Sequence, residues 1–427
     1  MPHEVKRAVG LAVALPAALL IASCMSDEGR LAPDSPEHPW PIPPQSAAAH
    51  ASTVPEREEA GERGGSAKPL IDSTHRYTLP ELMDLAQRNN PQTREAWERA
   101  RQAAAQVGLA ESAYLPQLSA EAIAGIQRTP LPIPATLVPQ GYFTSDTREV
   151  LPTLAVKWLL FDFGRRDAAD AAAKENSFVA NVSFTGAHQR LAYSVSRDYF
   201  VLGAARGKLE AAEKALQTAR IDQDAVDARR KNGVATVVEV AQARRQTAQA
   251  EFNVARAQGA ERNAYEALIA SVGLMPTANL AIAPIIDERL PSSPKQALDA
   301  LIENALSNRP DILASLGKIR VAEANLQSAH SDHRPSVGLV TQAYQNIGAL
   351  STQGGPYYDV DRLGWSVFLQ FSWPLFDGGQ RKSRESMARA EVGAAHDALD
   401  QARVAAAGLA FATGSIAAVP VTPPSAP

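Results

Sequence analysis

Phe161-Asp162-Phe163-Gly164 and Phe376-Asp377-Gly378-Gly379 each close an alternating apolar stretch and open an alanine-rich run. Upstream of each, a helical run bounded by prolines recurs. One reads from Asn90-Pro91 to Leu115-Pro116, the other from Arg309-Pro310 to Arg334-Pro335, and in both the prolines stand 25 residues apart. The same signals in the same order at the same spacing mark a duplicated structural unit, so the unit sets the architecture.

Each copy begins with a short amphipathic helix. In the first, Leu82, Leu85 and Ala86 form the apolar face, and Asn89-Asn90-Pro91 stops it. In the second, Leu301, Ile302 and Ala305 precede Asn308-Arg309-Pro310. A second helix follows in each copy and ends at the next proline. The period then changes to two. Leu118, Ala120, Ala122, Ala124 and Ile126 alternate with Gln117, Ser119, Glu121 and Gln127, which reads as a half-buried strand. The strands expected are about 117–127 and 150–161 in copy one, with a proline-rich loop of about twenty residues between them. In copy two they are about 336–347 and 364–376, on the alternation of Val337, Leu339, Thr341 and Ala343 and of Trp365, Val367, Leu369, Phe371 and Trp373.

Trp365 and Trp373 share a face eight residues apart, roughly 26 Å along a strand. A strand tilted about 40° sets them some 20 Å apart in height, near the separation of two aromatic girdles. Trp158, Trp365 and Trp373 are therefore read as membrane-interface aromatics. A soluble sandwich would need more strands than the two per copy seen here. Four strands do not close a barrel, and an open edge does not sit in lipid, so membrane insertion requires several chains.

Asp162 and Asp377 stand where strand gives way to helix. Their carboxylates are read as N-caps for the first helical turn, with a following glycine allowing the bend. Arg165, Arg166, Arg381, Lys382 and Arg384 come next and are read as reaching toward phospholipid headgroups. From Arg165 to about Lys231 no proline intervenes. Val195, Leu202, Leu209 and Leu216 recur every seven residues, and Asp198, Ala205, Ala212 and Ala219 sit three after each, a coiled-coil seam. Lys231-Asn232-Gly233 turns the chain, and a return helix to about Val272 completes a hairpin over 165–272.

The formal net charge of −4 gives no reason to expect a nucleic-acid partner. Lys6 and Arg7 precede an apolar run from Ala8 to Leu20, too short to span a bilayer and suited to a signal peptide. It ends in Ile21-Ala22-Ser23-Cys24. Cys24 is the sole cysteine, so no internal disulfide forms, and its setting resembles a bacterial lipobox. Met25 in place of aspartate after it matches the sorting pattern for the outer membrane. The proline-rich stretch that follows reads as an extended tether that cannot bury enough apolar area to fold. His330 and His333 are read as surface histidines. No catalytic constellation, cofactor motif or metal-ligand spacing stands out, so no enzyme activity is expected.

Helix, strand, strand, Phe-Asp-x-Gly and helical hairpin, twice over, resemble the TolC-like outer membrane factors, from about Leu79 to about Ala407. The resemblance implies an α+β membrane protein with two structural repeats, each giving two transmembrane β-strands and long helices. It implies a homotrimer with a 12-stranded barrel continuing into a periplasmic α-helical tube. The implied partners are a periplasmic adaptor (membrane fusion) protein, an inner-membrane efflux pump or ABC exporter, and outer membrane lipid. The implied function is a passive outer membrane conduit for efflux or type I secretion. A lipidated N-terminal cysteine, here Cys24, occurs in one branch of that family. Gly233, Val234, Ala235 and Thr236 are similar to the hairpin tip that meets the adaptor.

The expected organisation is a signal peptide over 1–23, a lipidated linker over 24–70, repeat 1 over 71–290, repeat 2 over 291–414 and a disordered tail over 415–427. Only 51 residues follow Phe376, against 112 from Phe161 to Gly273, so the second hairpin reads as truncated, and the family's gating residues lie on that hairpin. Two alternatives stay open: a lipid-anchored periplasmic coiled-coil interaction protein, and a truncated, non-functional channel remnant.

Overall fold

A computed structural model describes residues 31–41, 75–134, 136, 139–283 and 308–417. The signal peptide, Cys24, the helix carrying Leu301, Ile302 and Ala305, and the last ten residues lie outside the described residues. The elements are β1 (Arg76–Tyr77), α1 (Leu79–Asn89), α2 (Pro91–Ser112), β2 (Gln117–Pro132), β3 (Tyr142–Phe161), α3 (Arg165–Lys231), α4 (Val237–Val272), β4 (Ala281–Ile282), α5 (Pro310–Ser331), β5 (Ser336–Thr352), β6 (Tyr358–Ser372) and α6 (Gln380–Ala417). They form two compact units. One is built from Ala103–Ser177 and Ser315–Asp400, the other from the described parts of Gly29–Gln102, Phe178–Ala314 and Gln401–Pro427.

The first unit carries an antiparallel four-stranded sheet in the order β2-β3-β5-β6. Each repeat supplies one hairpin, and β3 against β5 joins them. The strands run further toward the hairpin turns than the alternation suggests. β2 continues to Pro132 and β3 begins at Tyr142, so most of the expected twenty-residue loop is ladder. Prolines are tolerated there because β2 is an edge strand with one side of its backbone unpaired in this chain. β6 spans Tyr358–Ser372 and stops short of Pro374 and Phe376, since proline has no N–H to donate. The weak alternation of β5 belongs to a central strand. Its Gly348 lies so close to β3 that a Cβ there would land on the Arg148 carbonyl oxygen.

The second unit is a helical assembly around a core of Leu82, Leu85, Ala86, Leu191, Val195, Tyr199, Leu202, Leu268, Ile269 and Val272. Burying each large aliphatic side chain stabilises by about 1.5–3 kcal/mol, which outweighs the weak intrinsic helicity of short α1. Val195 and Leu202 of the seven-residue seam are fully buried, while Leu209 and Leu216 further along are half-buried. Across the hairpin the Thr247 hydroxyl donates to the Ala219 carbonyl at 3.2 Å, and Arg206–Glu261 and Arg220–Glu251 pair at 3.1 and 2.9 Å. Gly273 caps α4 in the left-handed conformation at φ 84° against the Asn90 backbone, where a side chain would clash.

Part of the supposed free tether is docked. Within residues 31–41, the Leu31 and Trp40 carbonyls accept from Asn181 and Thr185 at 2.7 and 2.8 Å, and the Pro33 carbonyl accepts from the Trp97 indole at 2.7 Å. The Trp40 ring meets Phe178 edge-on at 6.0 Å. A proline-rich segment cannot satisfy its carbonyls internally, and here helix side chains satisfy them instead. One tryptophan supplies the apolar area that its average composition lacks.

Candidate functional site: membrane face, junctions and hairpin tip

Register partners in a sheet share a face, and the ladder sorts the side chains into two sets. One set runs in rows such as Ala120-Leu154-Ala343-Trp365, Leu118-Val156-Thr341-Val367 and Trp158-Leu339-Leu369. Ile126, Val150, Leu154, Val367, Leu369 and Phe371 on it are all exposed. The other face carries Ser119-Ala155-Gln342-Ser366 and Glu121-Thr153-Tyr344-Gly364, and Asn346 donates to Glu149 at 3.1 Å across it. Toward the hairpin turns the apolar face gives way to charge: Arg128 donates to Asp146 at 2.5 and 3.0 Å, and Asp359 and Asp361 stand on β6. A contiguous exposed apolar band this large marks a surface that another medium or molecule covers. Among the described residues no helix is long and apolar enough to cross a membrane.

At the strand–helix junctions the two copies repeat atom by atom. Asp162 is 5% exposed and accepts from the Arg166 backbone N–H at 3.0 Å and its Nε at 3.2 Å. Asp377 accepts from the Arg381 N–H at 3.0 Å, its Nε at 2.6 Å and the Gly379 N–H at 3.1 Å. The helices start at Arg165 and Gln380, so neither aspartate occupies the N-cap position itself. Each lies further upstream, and a left-handed pair brings its carboxylate back onto the first turn: Phe163 and Gly164 at φ 55° and 88°, Gly378 and Gly379 at 67° and 92°. Arg381 holds the Asp377 carboxyl down to about 2, helped by the two backbone N–H groups.

These contacts revise the reading of the basic residues. Arg166 is mostly buried, donating to the Leu159, Ala113 and Leu160 carbonyls at 2.7, 3.2 and 3.1 Å. Arg381 is equally enclosed. A guanidinium has five donors in a fixed fork, and local carbonyls and a carboxylate use it more fully than distant headgroups. Arg165 and Arg384 both approach Asp332, at 3.8 and 3.7 Å, which links the two junctions. His330 and His333 lie beside Glu385 at 3.2 and 3.5 Å. Among the described residues no group of His, Cys, Asp and Glu is arranged to hold a metal ion.

Trp158 and Trp373 occupy the same place in the two copies, three residues before the Phe-Asp pair. The indole of each donates to a carbonyl just past the preceding helix, Trp158 to Tyr114 at 2.8 Å and Trp373 to His333 at 3.3 Å. Trp365 sits eight residues before Trp373, 73% exposed on the apolar face. The Tyr114 hydroxyl in turn bonds Asp167 at 2.5 Å, and burial followed by that bond pushes its pKa up.

At the hairpin tip Gly233 adopts φ 77° and the Val234 N–H bonds the Arg229 carbonyl at 2.9 Å, turning the chain. Val234, Val237 and Val238 are exposed, whereas Ala235 is buried. Thr236 is the N-cap of α4. Its hydroxyl accepts from the Glu239 N–H at 3.3 Å, and Glu239 accepts from the Thr236 N–H at 2.6 Å. That backbone bond first, and then the Thr236 hydroxyl, hold the Glu239 carboxyl below the usual range. The spacing Thr-x-x-Glu is a capping-box signal, and Thr78 with Glu81 repeats it at α1. That signal also places exposed Val237 and Val238 in the first turn of α4, next to Gly233–Thr236.

A four-stranded antiparallel sheet with one exposed apolar face and two open edges, the second strand of each hairpin followed in sequence by a long helix, is the strand set of a membrane β-channel. The outer membrane efflux protein model matches residues 82–274 and 301–409, more than half of the chain, and the chain belongs to that family. It is 28% identical over 339 residues to protein CyaE of Bordetella pertussis, covering 79% of this chain and 68% of that one. It is 23% identical over 382 residues to the probable outer membrane lipoprotein SilC of Salmonella typhimurium, covering 86% and 74%. Among solved structures, the Campylobacter jejuni CmeC outer membrane channel superposes with a TM-score of 0.66 at 20% identity, covering 78% of this chain and 70% of that one. The protein is thus an outer membrane channel component of the efflux type, in a family of channel and transport proteins.

Proposed function

We propose that three copies close one twelve-stranded barrel, β6 of each pairing with β2 of the next, and that the assembly is the passive outer membrane conduit of a tripartite efflux or type I secretion system. The observation that carries this is the open-edged sheet with its exposed apolar face. Edges left unpaired in lipid cost several kcal/mol per polar group, and closure removes that cost. The polar face carrying Glu121, Glu149 and Lys157 then lines the channel. The tip at Gly233–Thr236, extended by exposed Val237 and Val238, meets a periplasmic adaptor, and an inner-membrane pump or ABC exporter supplies the energy. Cys24 carries the lipid, in keeping with the lipobox and with a relative described as a lipoprotein. Outer-membrane fractions run on gels with and without boiling test the assembly. Heat-modifiable trimers are expected, and recovery solely as a monomer released by removing the lipid overturns it. Intact-mass analysis of wild type and Cys24→Ala tests the anchor.

A further inference from the structure

His188 is a buried titratable group that the channel does not use. It is 3% exposed on α3, and neither ring nitrogen has a hydrogen-bond partner. Buried polar groups are almost always satisfied, so this pair calls for a reason. The ring stands edge-on to Phe184 at 4.7 Å. The docked segment 31–41 covers this stretch of helix: Asn181 and Thr185 hold its Leu31 and Trp40 carbonyls, and Trp40 packs with Phe178, Val182, Leu313 and Ala314.

We propose that segment 31–41 is a pH-sensitive strap, docked while His188 is neutral and released when the imidazole takes a proton. A neutral imidazole is tolerated in this apolar slot. An imidazolium has two N–H donors and a charge, and neither nitrogen makes a hydrogen bond; the Pro36 carbonyl near the ring offsets burial only in part. The surroundings do not compensate. The strap's ionisable groups are Asp34, Glu37 and His38. His38 acts on the ring against its positive form, while the Pro36 backbone favours that form without reaching hydrogen-bond geometry. On α3, Asn181 and Thr185 already hold strap carbonyls, and the Arg190 guanidinium lies by Gly186. From α2 comes Trp97, and from α5 come apolar Leu313 and Ala314, with Arg309 and Asp311 paired to each other at 2.7 Å. Burial, ahead of the other influences, holds the His188 pKa below the usual histidine range. A lowered folded-state pKa means that docking is fully stable above the released-state value, about 6.5, and weakens as pH falls through it. Each unit of depression is about a tenfold loss of docking on protonation. The strap lies seven residues after Cys24, so release lengthens the tether between that position and the folded body.

The strap docks through its carbonyls and the Trp40 ring, so hydroxyl-radical footprinting of the full-length protein in detergent tests this. The readout is protection of the side chains of 31–41, Trp40 above all, between about pH 8 and about pH 5. Wild type is expected to lose protection over that range, while a control peptide from the core at 264–272 holds. His188→Phe, which refills the slot beside Phe184, is expected to keep the strap protected throughout. An unchanged wild-type strap, or an equal pH slope in His188→Phe, overturns the proposal. Should His188→Phe not fold, His38→Asn decides: a surviving slope supports His188 as the switch, and a lost slope overturns it.

Discussion

Trp158 and Trp373 look like lipid-facing girdle residues, yet each spends its indole N–H on a carbonyl at the end of the preceding helix. The amphipathic ring does both: its body faces the apolar band and its polar edge ties strand to helix. Trp158→Phe and Trp373→Phe should each lower stability by about 1 kcal/mol in denaturant unfolding of the purified protein. Trp365→Phe, which removes no such bond, should change it by less than about half that. Asp377 gives a pH signature. Its depressed carboxyl means the folded state binds fewer protons than the unfolded one near pH 3, so its contribution is complete above about 4 and is lost as pH falls through about 2. The melting-temperature gap between wild type and Asp377→Asn should therefore be constant from about pH 5 to 8, narrow below about pH 4 and close as pH falls through about 2. A gap independent of pH would remove the charge from the account.

Whole elements turn on short local signals. The tip of the α3–α4 hairpin is set by Gly233 in a left-handed turn and by the Thr236–Glu239 capping box. Thr236→Ala should cost about 1 kcal/mol and fray the first turn of α4, read as faster amide exchange at 237–240. Exchange unchanged there would mean the turn is held by its neighbours instead. The duplicated Phe-Asp-x-Gly junction made the strand–helix exchange legible because aspartate and glycine are needed for stated reasons at fixed places. The left-handed Phe163 was not legible. It sits where copy two has Gly378, and the Ser331 hydroxyl donating to its carbonyl at 3.3 Å comes from 168 residues away. Strand ends are not legible for a related reason. Alternation fades beyond Ile126 and before Val150, yet the ladder continues because pairing is decided by the neighbouring strand.

For the whole molecule, the two-faced sheet makes adjacent residues behave oppositely. Leu154 lies on the apolar face in the row of Ala120, Ala343 and Trp365, and Thr153 on the polar face opposite Glu121 and Tyr344. Leu154→Arg should cost about 2–4 kcal/mol of barrel stability, seen as loss of heat-modifiable protein from the outer membrane. Thr153→Arg should leave assembly intact and alter what passes. Equal effects from both would mean that neither face meets lipid. The docked strap belongs to this scale as well, since its composition reads as a free tether and three helix side chains and one tryptophan pair bind it.

Period and repeated punctuation by themselves determined the duplication and the order of helices, strands and hairpin, and they carry the resemblance to the family that the family model bears out, because hydrophobic period and turn chemistry are local and are written residue by residue. Tertiary structure alone decided that the weakest strand lies at the sheet's centre and that Arg166 turns inward to strand-end carbonyls. It also decided that the tryptophans bind helix ends and that a proline-rich segment covers His188. Each of these depends on partners tens to hundreds of residues away, and no local pattern records which unsatisfied donor will meet which carbonyl.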